Sequence, residues 1–113
     1  MAFRITEQSY LVLLALAEEP RHGYGVVQAV LELSDRSVKL GAGTLYGILD
    51  RLVAAGMAEA SGEIVVDGRL RRYYRLTEAG LGALSKETAR IRALARRAQR
   101  VLAAPPRPAL GTV

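Results

Sequence analysis

The chain has 113 residues, half of them apolar, with one Phe, no Trp, no Cys and a formal net charge of +5. That length suits one small domain with an aliphatic core and excludes a core plus a separate catalytic domain. The lack of cysteine excludes a disulfide framework and a thiolate metal site; the single His22 cannot build a zinc site alone; and the longest apolar run, Tyr10 to Ala17, is eight residues, against the roughly 20 that a membrane-spanning helix needs.

In chain order, Thr6 predicts an N-cap, Glu7 suits the positive end of a helix dipole, and an apolar helix follows to Ala17. Arg4, this apolar run and Ala15-Leu16-Ala17 loosely imitate a signal peptide, but Glu7 occupies the would-be positive region, so the protein is read as cytoplasmic. Leu11, Val12, Leu13, Leu14 and Leu16 cover nearly all of the helix circumference, which implies burial against several neighbours, a second subunit among them.

Pro20 and Gly23 break the chain before a second helix that ends near Ser34, with Tyr24, Val27, Val30 and Leu31 expected on one face. Val38-Lys39-Leu40 is expected to form a very short strand. A third helix opens in "GAGTLYG"; Leu45, Leu49, Leu52 and Val53 form its apolar stripe, Thr44, Tyr46, Gly47, Asp50 and Arg51 its other side, and Gly56 its stop. Met57 to Val66 reads as a strand, Asp67-Gly68 as a hairpin turn and residues 69–76 as the returning strand.

Thr77 then caps a long fourth helix reaching about Ala103, in which Leu84, Thr88, Ile91, Ala95, Ala98 and Leu102 recur at alternating steps of four and three. Such a heptad seam predicts dimerisation, and Leu11 and Leu14 are candidates for the second surface of helix one. A basic amphipathic helix lying on an anionic membrane is the rival reading, and it lacks a bulky aromatic anchor. Residues 104–113, rich in proline, are expected to be a disordered tail. The fold class is mainly α with a small β element: a winged helix-turn-helix over residues 1–76 and a C-terminal dimerisation helix over 77–103.

Charge is unevenly spread. Residues 1–68 carry five basic and nine acidic side chains, and residues 69–113 carry eleven basic and two acidic ones. A polyanionic partner is expected, nucleic acid ahead of membrane, with solvated arginines on an exposed helix as the plain alternative. Strand alternation in "RLRRYYRL" puts Leu70, Arg72, Tyr74 and Leu76 on one face, with Leu70, Tyr74 and Leu76 covering the helical core. Arg69, Arg71, Tyr73 and Arg75 fall on the other, where arginines can track phosphates. An exposed basic edge that only discourages strand aggregation is the plain alternative.

On helix three, Thr44 suits a base or phosphate, Tyr46 a phosphate, Arg51 a guanine edge or phosphate and Asp50 a cytosine amino group; Lys39 precedes them. Gly43 and Gly47, each costing about 1 kcal/mol in a helix interior, point to close approach of the helix backbone by DNA or by helix two. "GAGTLYG" is not a nucleotide loop, because its glycine spacing is wrong and no Lys-Ser/Thr pair follows. His22 has no catalytic pairing and is assigned a structural hydrogen bond or a phosphate contact. No enzyme constellation and no cofactor site are read from the chain.

"HGYG" at 22–25, "GTLYGILDRLVAAGM" at 43–57 and "RRYYRLTEAG" at 71–80 resemble, in order and spacing, the PadR family of bacterial transcriptional regulators. The resemblance implies a homodimer that binds double-stranded DNA at an inverted repeat, usually as a repressor, with the third helix in the major groove and the wing on the neighbouring backbone. It also implies Tyr24, Thr44 and Tyr46 as DNA contacts and Arg71 and Arg72 as wing contacts, with Tyr74 structural. The chain departs from the family at Gly47, where Pro is common, and at Gly41-Ala42, where Ser-Pro is common. A small-molecule effector is left unassigned, since there is no Trp to offer a stacking platform. A winged-helix adaptor that binds protein is the alternative function.

Overall fold

Helix α1, Glu7–Glu18, begins where Thr6 and Ser9 cap each other. The Ser9 amide donates to Thr6 Oγ1 at 3.2 Å and the Thr6 amide donates to Ser9 Oγ at 2.8 Å, so Ser9 is buried with its hydroxyl satisfied. The computed structural model describes residues 3–109, and the order continues as β1 Arg21–His22, α2 Gly23–Leu33, α3 Ala42–Ala54, β2 Ala58–Val66, β3 Arg69–Leu76 and α4 Glu78–Ala103. Residues 104–109 form neither helix nor strand, and the rest of the expected disordered tail, 110–113, lies outside the described residues.

Three elements depart from the sequence expectations. Val38-Lys39-Leu40 is not a strand; Leu40 instead buries its side chain in the core from an irregular segment. The wing is a three-stranded antiparallel sheet in the order β1-β3-β2, because Arg21 and His22 pair with Tyr74 and Tyr73. Arg21 fixes that strand by donating from Nε to the Ala15 carbonyl at 3.0 Å and pairing with Glu18 at 2.9 Å. His22 caps α2, its Nδ1 accepting from the Gly25 amide at 3.2 Å, and its ring meets Tyr73 edge-on at 5.2 Å. The structural hydrogen bond expected of His22 is therefore present.

The third departure is in helix faces. On α2 the buried face is Gly23, Val26, Ala29 and Val30, which leaves Tyr24 exposed; on α3, Ile48 joins Leu45, Leu49 and Leu52 in the core while Val53 is exposed. These residues, with Val12, Leu13 and Leu16 of α1, make one aliphatic core closed at its edges by Ala58, Tyr74 and Leu84. As expected, α1 packs against several neighbours: α2, α3, α4 and β3.

Asp67 and Gly68 both take positive φ, 51° and 76°, the geometry of a two-residue hairpin turn. That turn sets Val65 opposite Leu70, Ile64 opposite Arg71 and Glu63 opposite Arg72, and a bulge between Ala60 and Gly62 shifts the register so that Glu59 meets Arg75. At the far end of the hairpin, the Met57 carbonyl accepts from the Thr77 amide at 3.1 Å and lies against Gly80. Thr77 also caps α4 through the Gly80 amide at 3.0 Å. Thus α4 leaves the body from a fixed seat.

Its first turns lie on α1, where Leu84 is buried and Tyr10 Oη donates to Thr88 Oγ1 at 2.6 Å while that hydroxyl donates to the Leu84 carbonyl. From Thr88 to Ala103 every residue is exposed. The molecule is accordingly long, 67 × 29 × 24 Å, with a radius of gyration of 18.2 Å, against about 13 Å for a compact chain of similar length.

Candidate nucleic-acid interface

The helix-turn-helix is made by α2 and α3, and its outer side is set by a glycine. A Cβ placed on Gly23 would sit 2.5 Å from the Tyr46 hydroxyl, so the Tyr46 ring lies across the start of α2 with Tyr24 next to it in the chain. Both rings reach solvent, Tyr24 at 59% and Tyr46 at 47% exposure. Thr44, Asp50 and Arg51 are exposed on the same helix, Gly47 is half-buried, and Lys39 is exposed in the segment before it. A Cβ on Gly43 would meet nothing within 4 Å, and one on Gly47 only the Arg51 guanidinium at 3.8 Å. Close approach by helix two therefore does not account for these glycines.

Between α3 and the wing runs an open crevice lined by Tyr46, Asp50, Glu63, Leu70, Arg72 and Tyr74. The structure thus brings Tyr46, Asp50 and Arg72 to one place. Arg72 stands on the inner face of β3, is well exposed, and pairs with Glu63 across the strands at 3.8 Å. Arg69 is exposed beside the turn. Arg71, on the opposite face of β3, is half-buried, and its Nε is shut off from solvent without a hydrogen-bond partner among the described residues. Arg75 donates from Nε and Nη2 to one Glu59 oxygen at 2.9 and 2.7 Å.

The expected division of the strand into a packing face and a phosphate face therefore changes. Leu70 does not cover the core; it is 65% exposed because the hairpin extends past the helices. Arg71, read as outward, is the more enclosed arginine, and Arg72, read as inward, is the freer one. Residues 58–76 hold four arginines against Glu59, Glu63 and Asp67, a net charge of +1. Glu59 and Glu63 were missed by the sequence reading, although counting back from a two-residue turn at Asp67-Gly68 puts Glu63 opposite Arg72. Most of the positive excess lies on α4, where Lys86, Arg90, Arg92, Arg96, Arg97 and Arg100 face only Glu78 and Glu87. Arg90 donates to both Glu87 oxygens, at 2.9 and 2.6 Å, and these bonds hold that carboxyl below its ordinary pKa.

Of the residues read as a dimer seam, Leu84 is buried within the chain and Thr88 is bonded to Tyr10. Leu11 and Leu14 are half-buried, and Ile91, Ala95, Ala98 and Leu102 are exposed. Leu94 and Val101, missed in that seam, are 56% and 71% exposed and widen the same apolar stripe.

Among the described residues no group of three or more metal-ligating side chains is present, and no helix is long and apolar enough to cross a membrane.

Residues 12–86 match the sequence profile of the family described as "Transcriptional regulator PadR-like family". The chain is 41% identical over 85 residues to "Transcriptional regulator Rv3488" of Mycobacterium tuberculosis, covering 75% of this chain and 76% of that protein. It is similar to the crystal structure of a PadR family transcriptional regulator from Eggerthella lenta, with a TM-score of 0.68 and 29% identity over 87% of this chain and 86% of the other. A PadR family regulator from Clostridium difficile shares the fold with a TM-score of 0.72 at 22% identity, covering 86% of this chain and 99% of that one.

Proposed function

The chain belongs to the PadR-like family of transcriptional regulators, and from that premise we propose a cytoplasmic homodimer that represses transcription by binding an inverted repeat in double-stranded DNA. The observation that carries the reading is the α3 face of exposed Thr44, Tyr46, Asp50 and Arg51 and half-buried Gly47 beside a crevice that Arg72 enters from the wing. In this reading α3 enters the major groove, Tyr24 supports it from the start of α2, and Lys39, Arg69 and Arg72 meet the flanking phosphates. The exposed stripe of Ile91, Leu94, Val101 and Leu102 on α4 supports the dimer, since an unsupported helical arm is marginal in water. Two copies related by a twofold put their reading helices about 34 Å apart, one DNA turn. The effector, if the protein takes one, is left unassigned.

Binding is tested by gel shift against the gene's own upstream region and by selection from a random operator library, with mass measured by sedimentation. Retention of one partly palindromic site by a species of twice the chain mass is expected. A folded dimer that selects no site from the library refutes specific DNA binding. The second reading, a protein-binding adaptor, is favoured by Ile64, Val65 and Leu70, all exposed on a wing of net charge +1. Substituting Arg69→Glu with Arg72→Glu, both exposed, separates the two, because a DNA binder loses affinity and salt dependence together and an adaptor loses neither.

A further inference from the structure

The wing carries two cross-strand ion pairs of different character, and only one of them faces the reading helix. Glu59 and Arg75 are locked by two hydrogen bonds on the outer face of β3. Glu63 and Arg72 sit on the inner face at 3.8 Å, too long for a hydrogen bond, and line the crevice with Tyr46 and Asp50 of α3. Arg72 is the one cation among the six residues lining that crevice, and it shares it with two carboxylates.

A phosphate entering there meets Asp50 and Glu63 as well as Arg72. Until α3 is seated, nothing in the crevice outweighs the carboxylates. Once the helix is seated and Asp50 has a base-edge donor, Arg72 can exchange Glu63 for a phosphate. We propose that Glu63 is a specificity-determining residue: it withholds Arg72 from phosphate on DNA that α3 does not read, and so suppresses binding to random sequence more than binding to the operator. The proposal rests on the DNA-binding reading above.

The test is fluorescence anisotropy of wild type, Glu63→Gln, Glu59→Gln, Arg72→Gln and the double variant Glu63→Gln/Arg72→Gln. Each is titrated with a random-sequence duplex and with the library-selected operator across a salt series. Glu63→Gln is expected to tighten binding to the random duplex about three- to tenfold and to steepen the salt slope by about two for the dimer, one contact per protomer. The operator gains less, so the ratio of operator to random affinity falls. Glu59→Gln makes the same change in net charge away from the crevice and leaves the random duplex unaffected. In the Arg72→Gln background the gain disappears.

Because the Glu63–Arg72 pair is exposed and long, its loss leaves the melting temperature close to wild type, which circular dichroism checks. A wild-type protein that binds DNA while Glu63→Gln binds the random duplex no better overturns the role of Glu63 alone. An equal gain from Glu59→Gln, or a gain that survives Arg72→Gln, does the same. If neither wild type nor Glu63→Gln binds any duplex at low salt, the DNA-binding reading itself falls and this proposal with it.

Discussion

Gly80 and Gly47 both sit inside helices, where glycine is worse than alanine by about 1 kcal/mol, yet their surroundings differ. A Cβ on Gly80 would run into the Met57 carbonyl, the same oxygen that holds the Thr77 amide at the start of α4, and backbone cannot swing aside as a side chain can. Gly80→Ala is therefore expected to lower stability by about 1–3 kcal/mol net, the usual cost of overpacking. Gly82→Ala, two residues on, where a Cβ meets nothing within 4 Å, should raise it by about 0.5–1 kcal/mol. Gly47 resembles Gly82 for folding, since its Cβ would make only an ordinary contact with Arg51. Gly47→Ala should therefore raise the melting temperature and still weaken operator binding, if the α3 backbone approaches DNA there. Thermal melting and anisotropy on the three variants check this; a stabilised Gly47→Ala with unchanged affinity removes Gly47 from the interface.

Most elements were legible in the sequence because their ends are chemically marked. Thr6 and Thr77 cap α1 and α4 as read, and Asp67-Gly68 makes the hairpin turn. One element that escaped the reading has no local signal. β1 is two residues that become a strand only by pairing with Tyr73 and Tyr74, fifty residues later. Ile48 completes the i, i+3, i+4, i+7 spacing with Leu45, Leu49 and Leu52 and enters the core, so the choice of Val53 overlooked a signal that the spacing within α3 carries. On α4 the four-and-three pattern picked out Ile91, Ala95, Ala98 and Leu102 and missed Leu94 and Val101 beside them.

Those two residues carry the element's own prediction. Beyond Ile91, which still lines a crevice with α1, the arm is exposed, so a partner's burial of the stripe is what keeps it helical in the dimer reading. Leu94→Asp with Val101→Asp is expected to convert the dimer to monomer in sedimentation and to reduce the helical circular dichroism. Arg100→Gln, on the opposite side of the helix, changes neither. A double variant that stays dimeric places the interface elsewhere.

For the whole molecule, the distribution of charge decides how strongly it holds DNA of any sequence. The surface around α3 is nearly balanced: Asp50 offsets Arg51, the wing nets +1 and Lys39 adds one. On a random duplex, with Arg72 held by Glu63, Lys39 and Arg69 make roughly two phosphate contacts per protomer, four per dimer, and a slope of log affinity against log salt of about −4. The arginines at 92, 96, 97 and 100 lie on α4, an arm that leaves the body from the Met57 and Gly80 seat, at the opposite end of the hairpin from its turn. If both arms touched DNA as well, the slope would approach about −10. The placement of the arm away from the hairpin turn favours the shallow value. Titrations on a random duplex at several salt concentrations decide between them. Arg96→Gln with Arg100→Gln should leave both the slope and the affinity where they were; a slope that drops in magnitude on those substitutions would make α4 part of the DNA-binding surface and leave the wing a smaller share of it.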